Sequence, residues 1–253
     1  MKVIKILGVA FTGAEGPEGE TVQKLLEEAE RRSERLIIAA ADSGLEAVER
    51  AGIRPGWIVG DMDSLSDPGR LDAYPQDRVL RYGEDKDYTD TELALSLLWE
   101  QGAGEVWLAG GGGGRVDHLF AIRALFERDR CPARWITAGE DMFCINEGQS
   151  LSRRLPSGSL VSVFPLGEGP WRALSRNLKW PLDRLSWNRG FFGVSNRVEG
   201  QAAEDPLNAA QRFQIQPSSL RPRPEGTPEL SIGIHAEQGR FLAILPPESE
   251  GED

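Results

Sequence analysis

Arg35-Leu36-Ile37-Ile38-Ala39-Ala40-Ala41-Asp42-Ser43-Gly44 is the stretch that decides the fold. Its apolar residues follow one another without polar alternation, the pattern of a strand covered on both faces in a parallel sheet. It ends in a carboxylate and a glycine. The same punctuation returns where Trp57-Ile58-Val59 runs into Gly60-Asp61-Met62-Asp63-Ser64. Ligands of open parallel sheets bind beyond the carboxyl ends of the strands, so Asp42, Asp61 and Asp63 stand where a site is expected.

Outward from this stretch the chain alternates strand and helix. Ile4 to Val9 reads as a first strand and Glu20 to Arg32, with Val22, Leu25, Leu26 and Ala29 at helical spacing, as a helix. A short helix through Ala47 and Val48 leads to the Trp57 strand, Arg78 to Tyr82 forms another, and Glu105 to Ala109 a further one. Gly110 to Gly114 separate that strand from a helix beginning near Arg115, and Arg134 to Ala138 is the last strand of this half. The alternation predicts an α/β fold, a parallel Rossmann-like sheet with helices on both faces. After about residue 148 the texture changes. Leu160 to Leu166, Phe191 to Val198, Leu230 to Ile234 and Phe241 to Leu245 are short strands among Gly, Pro and Asn, which predicts an antiparallel β-sandwich. The expected domains are 1–148 and 149–253, with a proline-punctuated irregular excursion over 201–229.

A net charge of -11 over 253 residues excludes a nucleic-acid backbone as partner, which needs clustered Lys and Arg. The two cysteines, Cys131 and Cys144, lie in different segments without metal-ligand spacing, so neither a disulfide framework nor a zinc site is expected. No run approaches the roughly 18 apolar residues of a membrane span. The segment from Met1 to Phe11, interrupted by Lys5, reads as a strand and not as a signal peptide, so a cytoplasmic protein without membrane partner is expected.

Asp61 and Asp63, one residue apart beside a glycine, suit Mg2+, a hard cation that takes one or two protein carboxylates and completes its shell with phosphate oxygens and water. The plain alternative is a solvated acidic turn. Thr89-x-x-Glu92 has the form of a capping box, followed by Leu93, Leu97 and Leu98 as the apolar stripe of a helix. Asp87 and Asp90 would sit at that helix entrance, where the dipole favours carboxylates, and Lys86 beside them is not needed for capping. The glycine run after a strand suits close approach of backbone N–H groups to phosphates. Arg115 and His118, three residues apart, share one helix face, with Asp117 between them.

These pieces together resemble the thiamine pyrophosphokinase (thiamine diphosphokinase) family. Its acidic signature is similar to Asp42-Ser43-Gly44, Gly60-Asp61-Met62-Asp63-Ser64 and Lys86-Asp87-Tyr88-Thr89-Asp90, in that order. Its nucleotide signature matches Gly110, Gly113, Gly114, Arg115, Asp117 and His118, and its thiamine-site motifs are similar to Leu178-Lys179-Trp180-Pro181-Leu182 and Ser195-Asn196. The resemblance implies a catalytic α/β domain, a thiamine-binding sandwich, a homodimer, and transfer of a diphosphoryl group from ATP to thiamine with release of AMP. In that reading Asp61 and Asp63 hold magnesium, and Ser64, Lys86, Gly110, Gly113, Gly114, Arg115, Asp117 and His118 bind nucleotide. Arg115 also adds charge to the transferred phosphates, and Asp42, Asp87 or Asp90 orients the thiamine hydroxyl or an outer metal shell. Trp180 is the platform for the cationic thiamine rings, and Ser195 and Asn196 are hydrogen-bonding partners of the pyrimidine.

Three departures from the family pattern stand out. Asn177 replaces a glycine, which predicts a displaced Trp180 backbone; Gly111 and Gly112 replace side chains, which predicts a looser loop; and the 201–229 segment is long. The competing readings are a magnesium-dependent nucleotide hydrolase, a pyrophosphotransferase with another acceptor, and a nucleotide-binding regulator without turnover.

Overall fold

The computed structural model describes residues 4–13, 15–83, 85–200 and 228–247. The chain divides into two compact units, Met1–Cys144 and Ile145–Asp253. The first unit runs β1 (Ile6–Thr12), α1 (Gly19–Arg32), β2 (Arg35–Ala41), α2 (Gly44–Arg50), β3 (Trp57–Gly60), β4 (Val79–Arg81), α3 (Asp90–Glu100), β5 (Glu105–Gly110), α4 (Val116–Leu125), β6 (Arg134–Ile136) and β7 (Asp141–Ile145), whose last residue opens the second unit. These strands lie in the order β7-β6-β5-β1-β2-β3-β4. All neighbours from β6 to β4 are parallel, and the sequence moves one way from β1 to β4 before β5 returns to the other side of β1. The strand order therefore reverses between β1 and β5, the place where such sheets open a crevice.

Period-2 alternation explains how the central strands are covered on both faces. Leu7, Val9 and Phe11 of β1 join Ala40, Ile58, Trp107, Ala109 and Ile136 in one core with Val22, Leu25, Leu26 and Ala29 of α1 and Leu45 and Val48 of α2. The intervening residues turn toward α3, which buries Ala94, Leu95, Leu97 and Leu98. At Gly8 an added Cβ would lie 3.0 Å from the Leu98 Cβ, so α3 seats directly on the β1 backbone. Each fully buried Leu contributes roughly 1.5–3 kcal/mol.

Arg134–Ala138 is not the last strand of this half. A turn through residues 137–140, with Thr137 N–H donating to the Glu140 carbonyl at 2.9 Å, sends β7 back antiparallel to β6. The hairpin is fixed by a buried ion cluster. Arg134 forms a bidentate pair with Asp141 (2.7 and 2.6 Å) and reaches Glu28 of α1 at 2.6 Å. Its guanidinium also lies 4.9 Å from the Trp107 ring centroid and 5.0 Å from that of Phe143. Burial pulls the Arg134 pKa down, and the two carboxylates more than offset it. The cysteines, distant in sequence, meet with their Sγ atoms 3.5 Å apart and are not joined in a disulfide.

The second unit contains β8 (Ser150–Pro156), β9 (Leu160–Leu166), β10 (Arg172–Arg176), β11 (Gly193–Arg197), β12 (Glu229–Gln238) and β13 (Arg240–Leu245). β9 pairs with β11 and β13, and β12 pairs with β8 and β10, all antiparallel. β8 and β10 are additions to the sequence expectation. Their Ser and Arg residues obscure the buried positions Leu151, Leu155, Pro156 and Ala173. The proline-punctuated segment lies almost entirely outside the described residues. Among the described residues no helix is long and apolar enough to cross a membrane.

Candidate functional site

β2 and β3 end side by side, with Ala41 opposite Val59, and the Asp42 N–H donates to the Val59 carbonyl at 2.9 Å. This register puts Asp42 beside the start of the Gly60-Asp61 turn. Asp42 (φ 52°) and Met62 (φ 67°) both adopt left-handed backbone, a cost that non-glycine residues carry mostly at sites where the surroundings enforce it. The Met62 turn buries its own side chain in the core while Asp61 stays near the strand end.

Asp90 arrives from α3. Thr89 caps that helix in a full capping box: Glu92 N–H donates to Thr89 Oγ1 at 3.2 Å, and Thr89 N–H donates to Glu92 Oε2 at 2.9 Å. Burial pushes the Glu92 carboxyl up, but the Thr89 N–H and Arg128 outweigh it, so the net shift is downward. The cap fixes Asp90 as the first helical residue. One carboxylate oxygen from each of Asp42, Asp61 and Asp90 lies within 4.8 Å of the others. Gly60 makes this possible. A Cβ there would stand 3.1 Å from Asp90 Oδ1 and 3.4 Å from the Asp42 Cβ, and its φ of 146° is unfavourable to any other residue.

Lys86 spans the cluster. Its Nζ donates to Asp61 Oδ2 at 2.7 Å and sits 3.0 Å from Asp90 Oδ1. Ser64 Oγ donates to Asp42 Oδ2 at 2.5 Å. Burial raises the Asp42 carboxyl, with the charges of Asp90, Asp61 and Asp63 adding to it and the Ser64 hydrogen bond opposing. The Lys86 hydrogen bond holds the Asp61 carboxyl below its usual range. Asp42 Oδ1 and Asp90 Oδ1 are buried and make no hydrogen bond of good geometry. Asp42 Oδ1, buried without a donor, and Asp90 Oδ1, which faces the Lys86 ammonium, converge with a third carboxylate and suit a hard divalent cation.

Of the residues expected to serve the metal, the structure brings Asp61 into this cluster and leaves Asp63 exposed outside it, its N–H turned onto Asp61 Oδ1 at 3.3 Å. Asp42 and Asp90 take the remaining places. Asp87 is exposed and outside the cluster.

The glycine run lies at the end of β5, at the crevice between β1 and β5. A Cβ on Gly110 would fall 1.9 Å from the Thr12 carbonyl oxygen. At Gly112 it would meet the Thr137 Cβ at 2.5 Å, and at Gly113 the Glu15 carboxyl carbon at 2.0 Å. Close packing against Thr137 in the β6–β7 turn, and not looseness, therefore accounts for Gly112, Gly111 would strike Ile122 Cδ1 at 2.5 Å, and Gly113 faces only the exposed end of the Glu15 side chain. Gly114 is open, with nothing within 4 Å. Arg115 precedes α4 in an extended conformation (φ -72°, ψ 126°), so it does not share a helix face with His118. Its guanidinium pairs with Asp117 through two hydrogen bonds of 3.1 and 2.6 Å, and Asp117 Oδ1 also accepts the His118 N–H at 3.0 Å. Arg115 holds the Asp117 carboxyl below its usual range. Val116 and Phe120 on α4 are exposed.

In the second unit Trp180 is half-buried, with Lys179 Nζ 5.5 Å from its ring centroid. Asn196 is buried and its amide is committed to the backbone of Trp180: Nδ2 donates to the Trp180 carbonyl at 2.6 Å, and Oδ1 accepts the Trp180 N–H at 3.1 Å. Asn196 thus positions Trp180, where the sequence reading had it facing the pyrimidine. Ser195 is exposed at a bulge in β11, with φ 58°. Asn177 has φ 58°, the left-handed conformation that glycine adopts freely and asparagine tolerates better than most residues. Its side chain donates to the Ser231 carbonyl at 2.8 Å. Asn177 therefore makes a left-handed turn before Trp180 and anchors it through its side chain.

Sequence reasoning missed Thr12 and Thr91, whose hydroxyls meet at 2.6 Å between the end of β1 and the first turn of α3, and Glu15 against Gly113. The signal for Thr12 was its place at a strand end.

The fold and the cluster define a parallel α/β protein whose strand ends gather carboxylates at cation-binding spacing. Residues 29–132 match the family model described as thiamin pyrophosphokinase, catalytic domain. Solved structures of thiamin pyrophosphokinases share the fold. The enzyme from Geobacillus thermodenitrificans is 22% identical over 98% of this chain and 99% of its own, with a TM-score of 0.61. The Bacillus subtilis enzyme is 18% identical over 97% and 100%, with a TM-score of 0.62. The Candida albicans enzyme is 14% identical over 97% and 90%, with a TM-score of 0.62. No curated protein matches this chain in sequence. The resemblance drawn from the motifs thus has a counterpart in a family model that spans the whole acidic cluster and the glycine run.

Proposed function

We propose that this protein is a thiamine diphosphokinase, transferring a diphosphoryl group from ATP to thiamine and releasing AMP. The observation that carries the reading is the convergence of Asp42, Asp61 and Asp90 beyond β2 and β3, inside the segment that matches the catalytic-domain family model. In the reaction the thiamine hydroxyl oxygen bonds to the β-phosphorus, the bond from that phosphorus to the α,β-bridging oxygen breaks, and the hydroxyl proton is lost. Asp42, Asp61 and Asp90 would hold Mg2+, which when bound neutralises the charge of the transferred phosphates. Positioning and charge compensation are most of what phosphoryl-type transfer demands, so no covalent nucleophile is required.

The chain's own residues divide the remaining tasks. Lys86 supplies a mobile ammonium at the cluster, and Ser64 fixes the Asp42 carboxylate. The Gly110–Gly114 connection and the nearby β1–α1 loop form the wall of the switch-point crevice, where nucleotide is placed. Trp180, held by Asn196 and half-buried, is the platform for the thiazolium, a role that suits the face of an aromatic ring. Ser195, exposed on β11, is a hydrogen-bonding partner for the pyrimidine. The second unit serves as the thiamine-binding domain in this reading, and the active form is a cytoplasmic homodimer. Exposed Phe191, Phe192 and Val194 around β11 support self-association.

The test is product analysis of the purified protein with ATP and Mg2+, with and without thiamine. Thiamine-dependent AMP matched by thiamine diphosphate is the expected result. Nucleotide breakdown that ignores thiamine would assign the site to a hydrolase, and binding without product to a regulator.

A further inference from the structure

We infer that Lys86 is the built-in counter-cation of the carboxylate cluster: its ammonium holds Asp61 and Asp90 while no metal is bound, and leaves them for nucleotide phosphate when a divalent cation enters. The inference rests on the proposed metal site and assigns this chain's own residue a task in loading it. Lys86 Nζ is 2.7 Å from Asp61 Oδ2 and 3.0 Å from Asp90 Oδ1, and its side chain is 14% exposed. It is inserted between two of the three carboxylates that define the cluster. Asp42 is held separately by Ser64.

The physical need is plain. Three carboxylates with oxygens within 4.8 Å of one another repel in the absence of a cation. Gly60 leaves room for Asp90 and Asp42 to approach, and the Thr89 cap sets Asp90 as the first residue of α3, so the backbone favours this spacing. One ammonium relieves the repulsion. A magnesium-sized ion with ligands at about 2.0–2.1 Å must claim the same oxygens and repels the ammonium. The two cations therefore compete for Asp61 and Asp90. Lys86 is suited to yield, because it lies outside any helix or strand, on the connection from β4 to α3, and carries its charge on a flexible four-carbon stem. Once displaced beside the metal, its strongest available partner is a phosphate oxygen, so metal binding and nucleotide binding become coupled through one side chain.

The test is Mn2+ binding to the full-length protein without nucleotide, read from the paramagnetic resonance of the free ion, in wild type, Lys86→Met and Asp61→Asn. Removing the competitor should tighten Mn2+ binding in Lys86→Met by about ten-fold or more. ATP affinity at saturating Mn2+, measured without thiamine, should weaken by about ten-fold in the same variant. Lys86→Gln, neutral but still able to donate a hydrogen bond, gives the same two readouts should the methionine variant not fold. A lysine that merely props the loop predicts the opposite for the metal: Mn2+ affinity unchanged or weakened in the neutral variants, which overturns the inference while leaving the metal site in place. Equal Mn2+ binding by wild type and Asp61→Asn removes the metal from this cluster, and with it both the inference and the proposed role of the carboxylates.

Discussion

Asp42→Asn should make the metal-free protein more stable at neutral pH and nearly inactive. Asp42 has a carboxyl raised by burial and by the charges of Asp90, Asp61 and Asp63, against a single opposing hydrogen bond from Ser64. At 4.8 Å, the outer limit of the cluster spacing, two like charges repel by about 0.9 kcal/mol even at the dielectric constant of water. Asp61 and Asp90 both act on Asp42, and Lys86, bound to both, cancels roughly one of the two. Solvent screening keeps the remainder near about 1 kcal/mol. Asparagine removes that repulsion, still accepts the Ser64 hydroxyl, and tolerates the left-handed backbone at this position.

The sign with pH follows from the direction of the shift. A carboxyl raised in the folded state contributes stability that is fully present below its unfolded value of 3.8 and is lost as pH rises through the folded value. The advantage of Asp42→Asn should therefore be absent near pH 3.8, grow as the pH passes above it, and reach about 1 kcal/mol at pH 7.5. Urea denaturation in a chelator at several pH values measures it, and turnover with ATP, Mg2+ and thiamine should fall on the order of a hundred-fold. A variant less stable than wild type at pH 7.5, or a gain that does not shrink toward pH 4, refutes the electrostatic account of the cluster.

Other substitutions separate the scaffold from the site. Gly60→Ala, whose Cβ would press on Asp90 Oδ1 at 3.1 Å, should weaken Mn2+ binding by about ten-fold in a protein that still folds; unchanged affinity would show that the glycine does not make room for the cluster. Thr89→Ala removes the cap that places Asp90 and should cost about 1 kcal/mol in urea denaturation. Arg134→Met removes the guanidinium that pairs with the buried Asp141 and should cost about 3–5 kcal/mol, most of which Arg134→Met with Asp141→Leu should restore. If the double variant is no more stable than the single one, the broken Arg134–Asp141 pair is not the source of the loss.

β2 was legible because a continuous apolar run has one good explanation, a strand covered on both faces, and α3 because its capping box is local in sequence. β7 was not, since Asp141 opens it, and a carboxylate in a buried strand makes sense only once the Arg134 side chain reaches it from the neighbouring strand. Glycines 110–112 show the same limit from the other side. In sequence they read as room for phosphate and, at Gly111 and Gly112, as a looser loop, but what Gly110, Gly111 and Gly112 leave room for is Thr12, Ile122 and Thr137, and only the packed chain reveals those neighbours. Asn177 looked like a departure from glycine, yet the left-handed turn it makes before Trp180 is one that glycine also adopts freely.

The acidic pair shows most sharply why adjacency in sequence misleads. Asp61 and Asp63 are close along the chain, and an extended backbone would place both on one side. The left-handed turn at Met62 instead separates them, while the Ala41–Val59 register and the α3 cap bring Asp42 and Asp90 to Asp61. The two assignments predict different variants. Should Asp63 be a direct ligand, Asp63→Asn must weaken Mn2+ as severely as Asp90→Asn. From the observed geometry Asp90→Asn removes a cluster oxygen and a partner of Lys86, and should weaken Mn2+ by about ten- to a hundred-fold. Asp63→Asn removes a charge that acts on Asp42 through space and alters a hydrogen-bonding neighbour of Asp61, but takes no oxygen from the cluster, and its effect should stay within about three-fold. Measured side by side by Mn2+ titration, equal and large losses would show that residue 63 moves into the cluster when the cation binds, and that the Met62 turn is a hinge and not a fixed spacer.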